Sequence, residues 1–271
     1  MYPAFYRVRV YQLVRLPVVS HPAGGLQSHT ITFAKPIATM SYTLDQIVPW
    51  GRSYDEYISM FALTNAELKL GILGCGDGPA GFNAELTRRG GRVISADPIY
   101  AYDAAQIKSR ILATYETVMA QTRQNKDNFV WEAISSVEEL GRVRMSAMDG
   151  FLSDYESGKS AGRYITGELP SLPFASGGFD MALCSHFLFL YSEHLSAEFH
   201  LQALQEMLRV ARQVRVFPLL TLAGTRSPHL DFVMQQLARQ GLHVEIRRVS
   251  YEFQRGGNEM LLISGPPIYG A

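Results

Sequence analysis

From about residue 42 onward, segments with the hydrophobic pattern of strands alternate with segments with the hydrophobic pattern of helices. Five short apolar runs have the length of buried strands: 71–74, 93–96, 164–166, 179–183 and 214–217. Longer stretches with apolar residues at helical spacing lie between them: 80–89, 104–121, 137–155 and 197–210. Strands separated by helices predict an α/β fold with a mainly parallel, doubly wound sheet and helices on both faces.

The last part of the chain has a different pattern. Residues 243–249 alternate between polar and apolar, residues 254–258 have the composition of a turn, and residues 259–263 form another apolar run. This order predicts a C-terminal antiparallel hairpin that closes the otherwise parallel sheet.

The first 41 residues differ in composition from everything that follows. No Asp or Glu occurs from Met1 to Thr43, and four prolines interrupt any long helix or strand. We expect residues 1–41 to be a weakly ordered extension and residues 42–271 to be the functional domain. A targeting extension is one alternative, although no well-formed amphipathic helix is present. We favour a translation start at Met40, directly before the domain-like sequence.

Charge and cysteine content narrow the possible partners. Lys and Arg number 25 and Asp and Glu number 25, so no global positive field favours nucleic acid. Cys75 and Cys184 are the only cysteines, and their separation fits neither a disulfide framework nor a metal site. The longest apolar stretch, residues 179–191, is too short for a membrane-spanning helix. These features indicate a cytoplasmic protein without a metal or membrane partner, and they leave its oligomeric state open.

A glycine-rich loop follows the first predicted strand. Gly74, Gly76 and Gly78 let the chain turn tightly and approach a ligand, and Pro79 suits the start of a helix. A tight turn without a ligand would have the same composition. The second strand ends at Asp97-Pro98, about twenty residues past the loop, where a carboxylate can accept both hydroxyls of a ribose. Asp97 could instead only cap its own loop.

The spacing of the loop distinguishes two cofactor classes. A nicotinamide dinucleotide fingerprint places Gly or Ala five residues after its first glycine, and this chain has Pro79 there. The segments Ile72-Leu73-Gly74-Cys75-Gly76-Asp77-Gly78 and Val93-Ile94-Ser95-Ala96-Asp97 resemble the first two motifs of class I S-adenosylmethionine-dependent methyltransferases. The resemblance implies a Rossmann-like domain that binds S-adenosyl-L-methionine. It implies cofactor contacts from Gly74, Cys75, Gly76, Asp77, Gly78, Asp97 and Pro98.

A third segment agrees with this resemblance. Residues 167–174, followed by Phe179-Asp180, are similar to the family's stretch in which an acidic residue lies near the adenine amine. The resemblance implies this position for Glu168, with the Leu169 backbone beside it, although a solvated loop carboxylate is the alternative. One departure concerns the strand before the loop, where the family often carries an acid that holds the cofactor's ammonium group. This chain has Ile72 there, so Asp77 or the loop after the fourth strand would have to substitute.

Candidates for acceptor chemistry follow the fourth strand, at the sheet edge where open α/β folds bind ligands. His186 could deprotonate or orient an acceptor, or it could be hydrogen-bonded within the sheet edge. Ser185 is a candidate cofactor contact beside it, and Tyr191 is a second catalytic candidate.

A helix start is predicted upstream of the glycine loop. Ser53 and Glu56 have the spacing of a capping box. In many members of the family an N-terminal helix covers the cofactor. Arg52 could therefore bind the methionine carboxylate and Tyr54 could pack on the ligand, or the two could be a surface and a core residue.

These features favour a methyltransferase for a small-molecule acceptor over one for a protein side chain. A non-catalytic S-adenosylmethionine-binding module or partner subunit is the alternative, since Ile72 replaces the acid and no acceptor motif is recognisable. A nucleotide-dependent oxidoreductase is disfavoured by Pro79.

Overall fold

The structure is a computed structural model, and it describes residues 48–265. The extension 1–41 and the proposed start at Met40 lie outside the described residues.

One seven-stranded sheet organises the described chain. Its strands are β1 Gly71–Cys75, β2 Arg92–Ala96, β3 Tyr164–Ile165, β4 Phe179–Ser185, β5 Ala211–Phe217, β6 His243–Arg248 and β7 Glu259–Ser264. They lie in the order β3-β2-β1-β4-β5-β7-β6. The first five are parallel, and β7 runs antiparallel to both β5 and β6. The predicted parallel sheet with a C-terminal antiparallel hairpin is confirmed.

Six α-helices accompany the described strands. They are α1 Tyr54–Phe61, α2 Phe82–Arg88, α3 Ala104–Gln124, α4 Val137–Ser160, α5 Ala197–Val210 and α6 Leu230–Arg239. The predicted helix start before Tyr54 is confirmed, because Ser53 caps the amide of Glu56 and Glu56 caps the amide of Ser53.

The alternation of side chains along β1 places a core on each face of the sheet. Leu73 and Cys75 belong to the core that α5 and α6 cover, whereas Ile72 belongs to the core beneath α1 and α2. Helices on both faces follow directly from this alternation. Ile72 is fully buried, so the position where the related family often carries an acid is a core position here.

Helices α3 and α4 both lie between β2 and β3, and the loop that joins them reaches across to the loop between β6 and β7. The amide of Val130 donates to the Phe253 carbonyl at 2.8 Å, and the amide of Arg255 donates to the Asn128 carbonyl at 2.8 Å. We call these two joined segments, residues 127–131 and 253–255, the strap. It lies over the edge of the sheet where the parallel strands end.

Candidate functional site

A cavity of about 600 Å³ opens at the carboxyl ends of the parallel strands, which is the ligand edge of open α/β sheets. We divide it into two ends by the residues that line it. The glycine-loop end contains Gly76, Asp77, Gly78, Asp97, Glu168 and Leu169. The aromatic end contains Trp50, Arg52, Phe129, Leu140, Arg144, Leu222 and Phe253. His186 and Tyr191 also line the cavity.

The glycine loop uses its own backbone donors internally. The amide of Gly76 donates to the Ala96 carbonyl at 2.9 Å, and the amide of Gly81 donates to the Arg52 carbonyl at 2.9 Å. The amide of Gly78 donates to the Asp97 carboxylate at 2.8 Å, and Pro79 has no N–H. Phosphate sites need several free amides that point at the ligand. This loop is therefore poorly suited to a pyrophosphate.

Asp97 is buried at the end of β2. Its two carboxylate oxygens accept the amides of Gly78 and Ile99, both at 2.8 Å. Burial raises the pKa of Asp97 to about 7, against the opposing effect of these two hydrogen bonds. The loop-capping role and a place in the cavity are thus compatible. Each carboxylate oxygen can accept a second hydrogen bond from a ligand.

Asp77 presents a second buried carboxylate to the same end. Its oxygens accept the Tyr57 hydroxyl at 2.8 Å and the Ser95 hydroxyl at 2.7 Å. Burial raises the pKa of Asp77 to about 6, although both hydroxyls lower it. The glycine-loop end therefore offers hydrogen-bond acceptors and negative charge, which suit hydroxyl and ammonium groups of a ligand.

The third strand's loop completes this end. Glu168 is exposed at the rim of the cavity, whereas Leu169 is buried beside it. Pro98 also lines the cavity next to Asp97. The structure thus brings the predicted adenine-edge residues to the same end as Asp97.

His186 lines the cavity and has a backbone conformation rare for a non-glycine residue, with φ of 52°. Its amide donates to the Phe217 carbonyl at 2.7 Å, and its Nδ1 lies 2.9 Å from the Ser185 hydroxyl. Burial lowers the pKa of His186 well below its usual value, and Arg52 and Arg144 lower it further. The ring is therefore neutral near pH 7, and left-handed residues of this kind cluster at functional sites.

A buried ionic network forms one wall of the aromatic end. Both carboxylate oxygens of Glu56 accept a hydrogen bond from Nη1 of Arg144 at 2.5 Å. One of them also accepts a hydrogen bond from the Tyr251 hydroxyl at 2.8 Å. Burial alone would raise the pKa of Glu56, but Arg144 and Arg52 lower it to about 2. Arg52 donates to the Trp50 carbonyl and faces the same cavity.

The strap supplies an aromatic wall beside this network. The rings of Phe129 and Phe253 stack at 4.9 Å, and Trp131 meets Phe253 edge-on at 5.4 Å. The guanidinium of Arg144 lies 5.9 Å from the centre of the Phe253 ring. The aromatic end is therefore an apolar chamber with cationic groups at one side.

Three residues predicted from the sequence to contact a ligand do not line the cavity. Tyr54 points away from it, where its ring stacks on Phe82 at 5.8 Å beneath Arg89. Tyr57, one helical turn later, takes the place expected for Tyr54. Gly74 and Cys75 lie within β1 behind the loop. The structure thus places Tyr54, Gly74 and Cys75 outside the lining of this cavity.

Several cavity residues were not predicted. Tyr57, Arg144, Phe129 and Phe253 line it, and Glu56 was predicted only as a helix cap. Arg144 lies in a helical pattern rich in polar residues, so local sequence gives it the appearance of an exposed side chain. A capping-box glutamate that also meets a distant arginine carries no local signal. The remaining predicted site residues lie at the cavity, and their contacts with a ligand stay predictions.

Metal sites and membrane-spanning helices are two further features to consider in the described residues. Among residues 48–265, no group of three or more His, Cys, Asp or Glu side chains is arranged to hold a metal ion. Within the same range, no helix has the length and apolar character needed to cross a membrane.

Three solved structures, two of them of methyltransferases, are similar to this chain in part of their fold. Magnesium protoporphyrin IX methyltransferase from Synechocystis PCC 6803, solved with bound S-adenosylmethionine, is 11% identical, with 78% of this chain and 77% of that chain covered and a TM-score of 0.42. An O-methyltransferase from neocarzinostatin biosynthesis is 13% identical, with 75% and 50% covered and a TM-score of 0.41. The PH0226 protein from Pyrococcus horikoshii OT3 is 12% identical, with 79% and 91% covered and a TM-score of 0.41. Similarity at this level is too weak to say what this chain binds.

Sequence comparison identifies a nearer relative. No family model matches the chain. The uncharacterized protein MJ0045 of Methanocaldococcus jannaschii is 31% identical over 221 residues, which are 81% of this chain and 97% of the relative. The chain belongs to the same protein family as this archaeal protein.

Proposed function

We propose that this protein is an S-adenosylmethionine-dependent methyltransferase that acts on a small-molecule acceptor. One observation carries the proposal: the Asp97 carboxylate accepts a hydrogen bond from the Gly78 amide, and both residues line the same cavity. The loop thus uses the Gly78 N–H to hold the Asp97 carboxylate, and that carboxylate can accept ligand hydroxyls.

The residues present fit S-adenosylmethionine better than a dinucleotide. We assign the ribose hydroxyls to Asp97 and the adenine to Glu168 and Leu169, which lie at the same end of the cavity. Asp77 can face the ammonium group, which compensates for the buried Ile72. The dinucleotide alternative requires free loop amides for a pyrophosphate, and those of Gly76, Gly78 and Gly81 are already hydrogen-bonded.

The cofactor supplies a methyl group on a sulfonium, so the protein mainly aligns the acceptor and excludes water. When bound, the cofactor would give its methyl group to the acceptor atom, and the electron pair of the S–CH₃ bond would stay on sulfur. His186 lines the cavity, and its neutral ring can accept a hydrogen bond from the acceptor. Because its pKa is low, we assign His186 a positioning role and leave any released proton to water. Tyr191 lines the same region and can orient the acceptor.

Calorimetric titration with S-adenosylhomocysteine and with NADH tests the proposal. We expect S-adenosylhomocysteine to bind with a dissociation constant on the order of micromolar, which is about −8 kcal/mol, and NADH not to bind. Binding of NADH alone would overturn the proposal.

A non-catalytic binding module is the second candidate, and the core position of Ile72 favours it over a standard member of the methyltransferase family. The two functions differ in ligand preference. A sensor must distinguish S-adenosylmethionine from its demethylated product, whereas an enzyme that releases S-adenosylhomocysteine binds both with similar strength. A preference above about a hundredfold, or about 2.7 kcal/mol, for S-adenosylmethionine would favour the sensor.

A further inference from the structure

Two guanidinium groups face the aromatic end of the cavity, and one carboxylate balances them. Arg144 is fully buried and paired with Glu56, whereas Arg52 has no carboxylate within 4.0 Å among residues 48–265. The three side chains therefore carry a net charge of +1, with Glu56 and Arg144 buried and Arg52 half-buried. A charge that is partly removed from water and has no partner favours a bound anion.

Both arginines also have unused hydrogen-bond donors. The Nε atoms of Arg52 and Arg144 are inaccessible to solvent, and neither has a hydrogen-bond partner in the described part of the chain. Arg144 directs Nη1 to Glu56, and its Nη2 reaches only the Tyr251 hydroxyl at 3.4 Å. His186 is neutral and adds no negative charge. Because the Nε atoms are closed to the cavity, a ligand would meet the terminal nitrogens: Arg52 donates through Nη1 to the Trp50 carbonyl, and its Nη2 has no hydrogen-bond partner among residues 48–265.

The walls around these donors are apolar and flat. Trp50, Leu140 and Leu222 line the chamber together with the stacked rings of Phe129 and Phe253. Aromatic side chains of this kind pack well against a planar ring system. A ligand with an apolar, ring-containing body and an acidic group at one end would satisfy both the walls and the donors.

We infer that the methyl acceptor is a small organic acid whose ring-containing body lies against the strap and whose anionic group is bound by Arg52 and Arg144. This inference rests on the proposed function. The cofactor's own carboxylate is a second source of an anion, because the Arg52 carbonyl accepts the Gly81 amide beside the glycine loop. Arg144 instead contacts Glu56, Tyr251 and the strap. An anion between both arginines therefore belongs to the aromatic end.

The first test compares two probes of the same shape on the unmodified protein saturated with S-adenosylhomocysteine. Biphenyl-4-carboxylate carries the acid, and biphenyl-4-carboxamide is its neutral counterpart. We expect the carboxylate to bind at least about tenfold more tightly, since hydrogen bonds to a charged group are stronger than neutral ones. Equal affinities, or tighter binding of the amide, would overturn the inference.

Variants then assign the preference to the two arginines. Arg52→Gln, and the double change Glu56→Gln with Arg144→Gln, should each reduce the preference for the carboxylate to below about threefold, as expected when charge-assisted bonds are removed. The double change removes both charges of the Glu56–Arg144 pair together, so neither is left without the other. Arg142→Gln is the control, because Arg142 lies on the same helix with a side chain that is 75% exposed. A preference that persists in both cavity variants would contradict the inference.

A last comparison separates the two sources of the anion. 5′-Methylthioadenosine contains the adenosine but lacks the carboxylate of S-adenosylhomocysteine. If Arg52→Gln weakens only S-adenosylhomocysteine and the carboxylate preference persists, Arg52 serves the cofactor and the inference fails. If neither nucleoside binds the parent protein, the proposed function fails by itself. The two biphenyl probes then still report on the arginines without cofactor.

Discussion

The amide of Gly78 donates to Oδ2 of Asp97 at 2.8 Å, which joins the loop after β1 to the end of β2. Oδ1 of the same carboxylate accepts the amide of Ile99 at 2.8 Å. One carboxylate thus fixes the glycine loop and the turn after β2 relative to each other, and each oxygen keeps a lone pair for a ligand.

This arrangement makes ligand binding depend on pH. Burial raises the pKa of Asp97 to about 7, and only the ionised carboxylate can accept two ribose hydroxyls with both oxygens. Below pH 7 binding must first release the proton, so the affinity for S-adenosylhomocysteine should rise from pH 6 to pH 8 by about tenfold. Calorimetry in two buffers with different ionisation enthalpies measures the released proton.

Asp97→Asn is the matched control for this prediction. The variant has no titrating group at that position, so its affinity should be at least about tenfold weaker than that of the parent at pH 8. Its remaining pH dependence should follow Asp77, whose pKa burial raises to about 6. An equally steep rise between pH 7 and pH 8 in Asp97→Asn would show that another group titrates.

The elements built from local patterns could be predicted from the sequence. The strand Gly71–Cys75 follows a short apolar run, the helix Ala197–Val210 follows apolar residues at helical spacing, and the Ser53 cap is a signature of four residues. Helix α6 was not predicted. The N-cap residue His229, directly before the helix, makes no side-chain capping hydrogen bond, so the usual start signal is missing.

The glycine-loop end was predictable because its residues follow strand ends in a recognisable order. The aromatic end was not. Phe129 and Phe253 are far apart in the chain, and so are Glu56 and Arg144, whose hydrogen bond spans 88 residues. Neither pair has a local pattern. Arg144 is buried only because Glu56 compensates its charge, and single-residue propensities contain no information on such long-range pairs.

Gly74 is expected to be essential for stability, although it does not line the cavity. A Cβ on Gly74 would lie 1.8 Å from Oδ2 of Asp77, and Tyr57 and Ser95 hold that carboxylate in place. Gly74→Ala should therefore lower the free energy of unfolding by about 1–3 kcal/mol, measured by urea denaturation.

A second glycine tests whether the clash is the cause. Gly150 lies in α4 with nothing within 4 Å of an added Cβ, so Gly150→Ala should stabilise the protein by about 0.4–1 kcal/mol. Adding Asp77→Ala to Gly74→Ala removes the obstructing carboxylate and should recover part of the loss. If the two single glycine variants unfold at the same urea concentration, the clash is not the cause.

The Glu56–Arg144 pair should control stability at acidic pH. The pKa of Glu56 is lowered from its usual value of 4.5 to about 2. The ionised carboxylate therefore stabilises the fold at pH values above 4.5. This stabilisation is lost as the pH falls from 4.5 towards 2. Thermal unfolding of the parent should show this decrease, and Glu56→Gln should lack the part that comes from Glu56.

The same pair predicts a pattern in a double-mutant cycle. Glu56→Gln can still cap the Ser53 amide but leaves the Arg144 charge buried without a carboxylate, which should cost about 3–5 kcal/mol. Adding Arg144→Met removes that charge and should restore much of the loss. Additive effects of the two changes would mean that the pair is not coupled.

The strap should open more easily when Arg255 is shortened. The exposed Arg255 side chain donates to the carbonyls of Asp127 and Phe129, both at 3.2 Å, and so joins the two loops over the cavity. Arg255→Ala removes both bonds, but the amide of residue 255 can still donate to the Asn128 carbonyl. Two exposed hydrogen bonds contribute about 1 kcal/mol, so local opening should become about five times more frequent. Hydrogen exchange of the Val130 amide, which donates to the Phe253 carbonyl at 2.8 Å, measures this opening.

Arg247→Ala is the control, because Arg247 bonds to Glu245 on β6 away from the strap. Since the strap covers the aromatic end, dissociation of bound biphenyl-4-carboxylate should accelerate together with Val130 exchange. Faster exchange with an unchanged dissociation rate would mean that ligands leave the cavity by a route that does not need the strap to open.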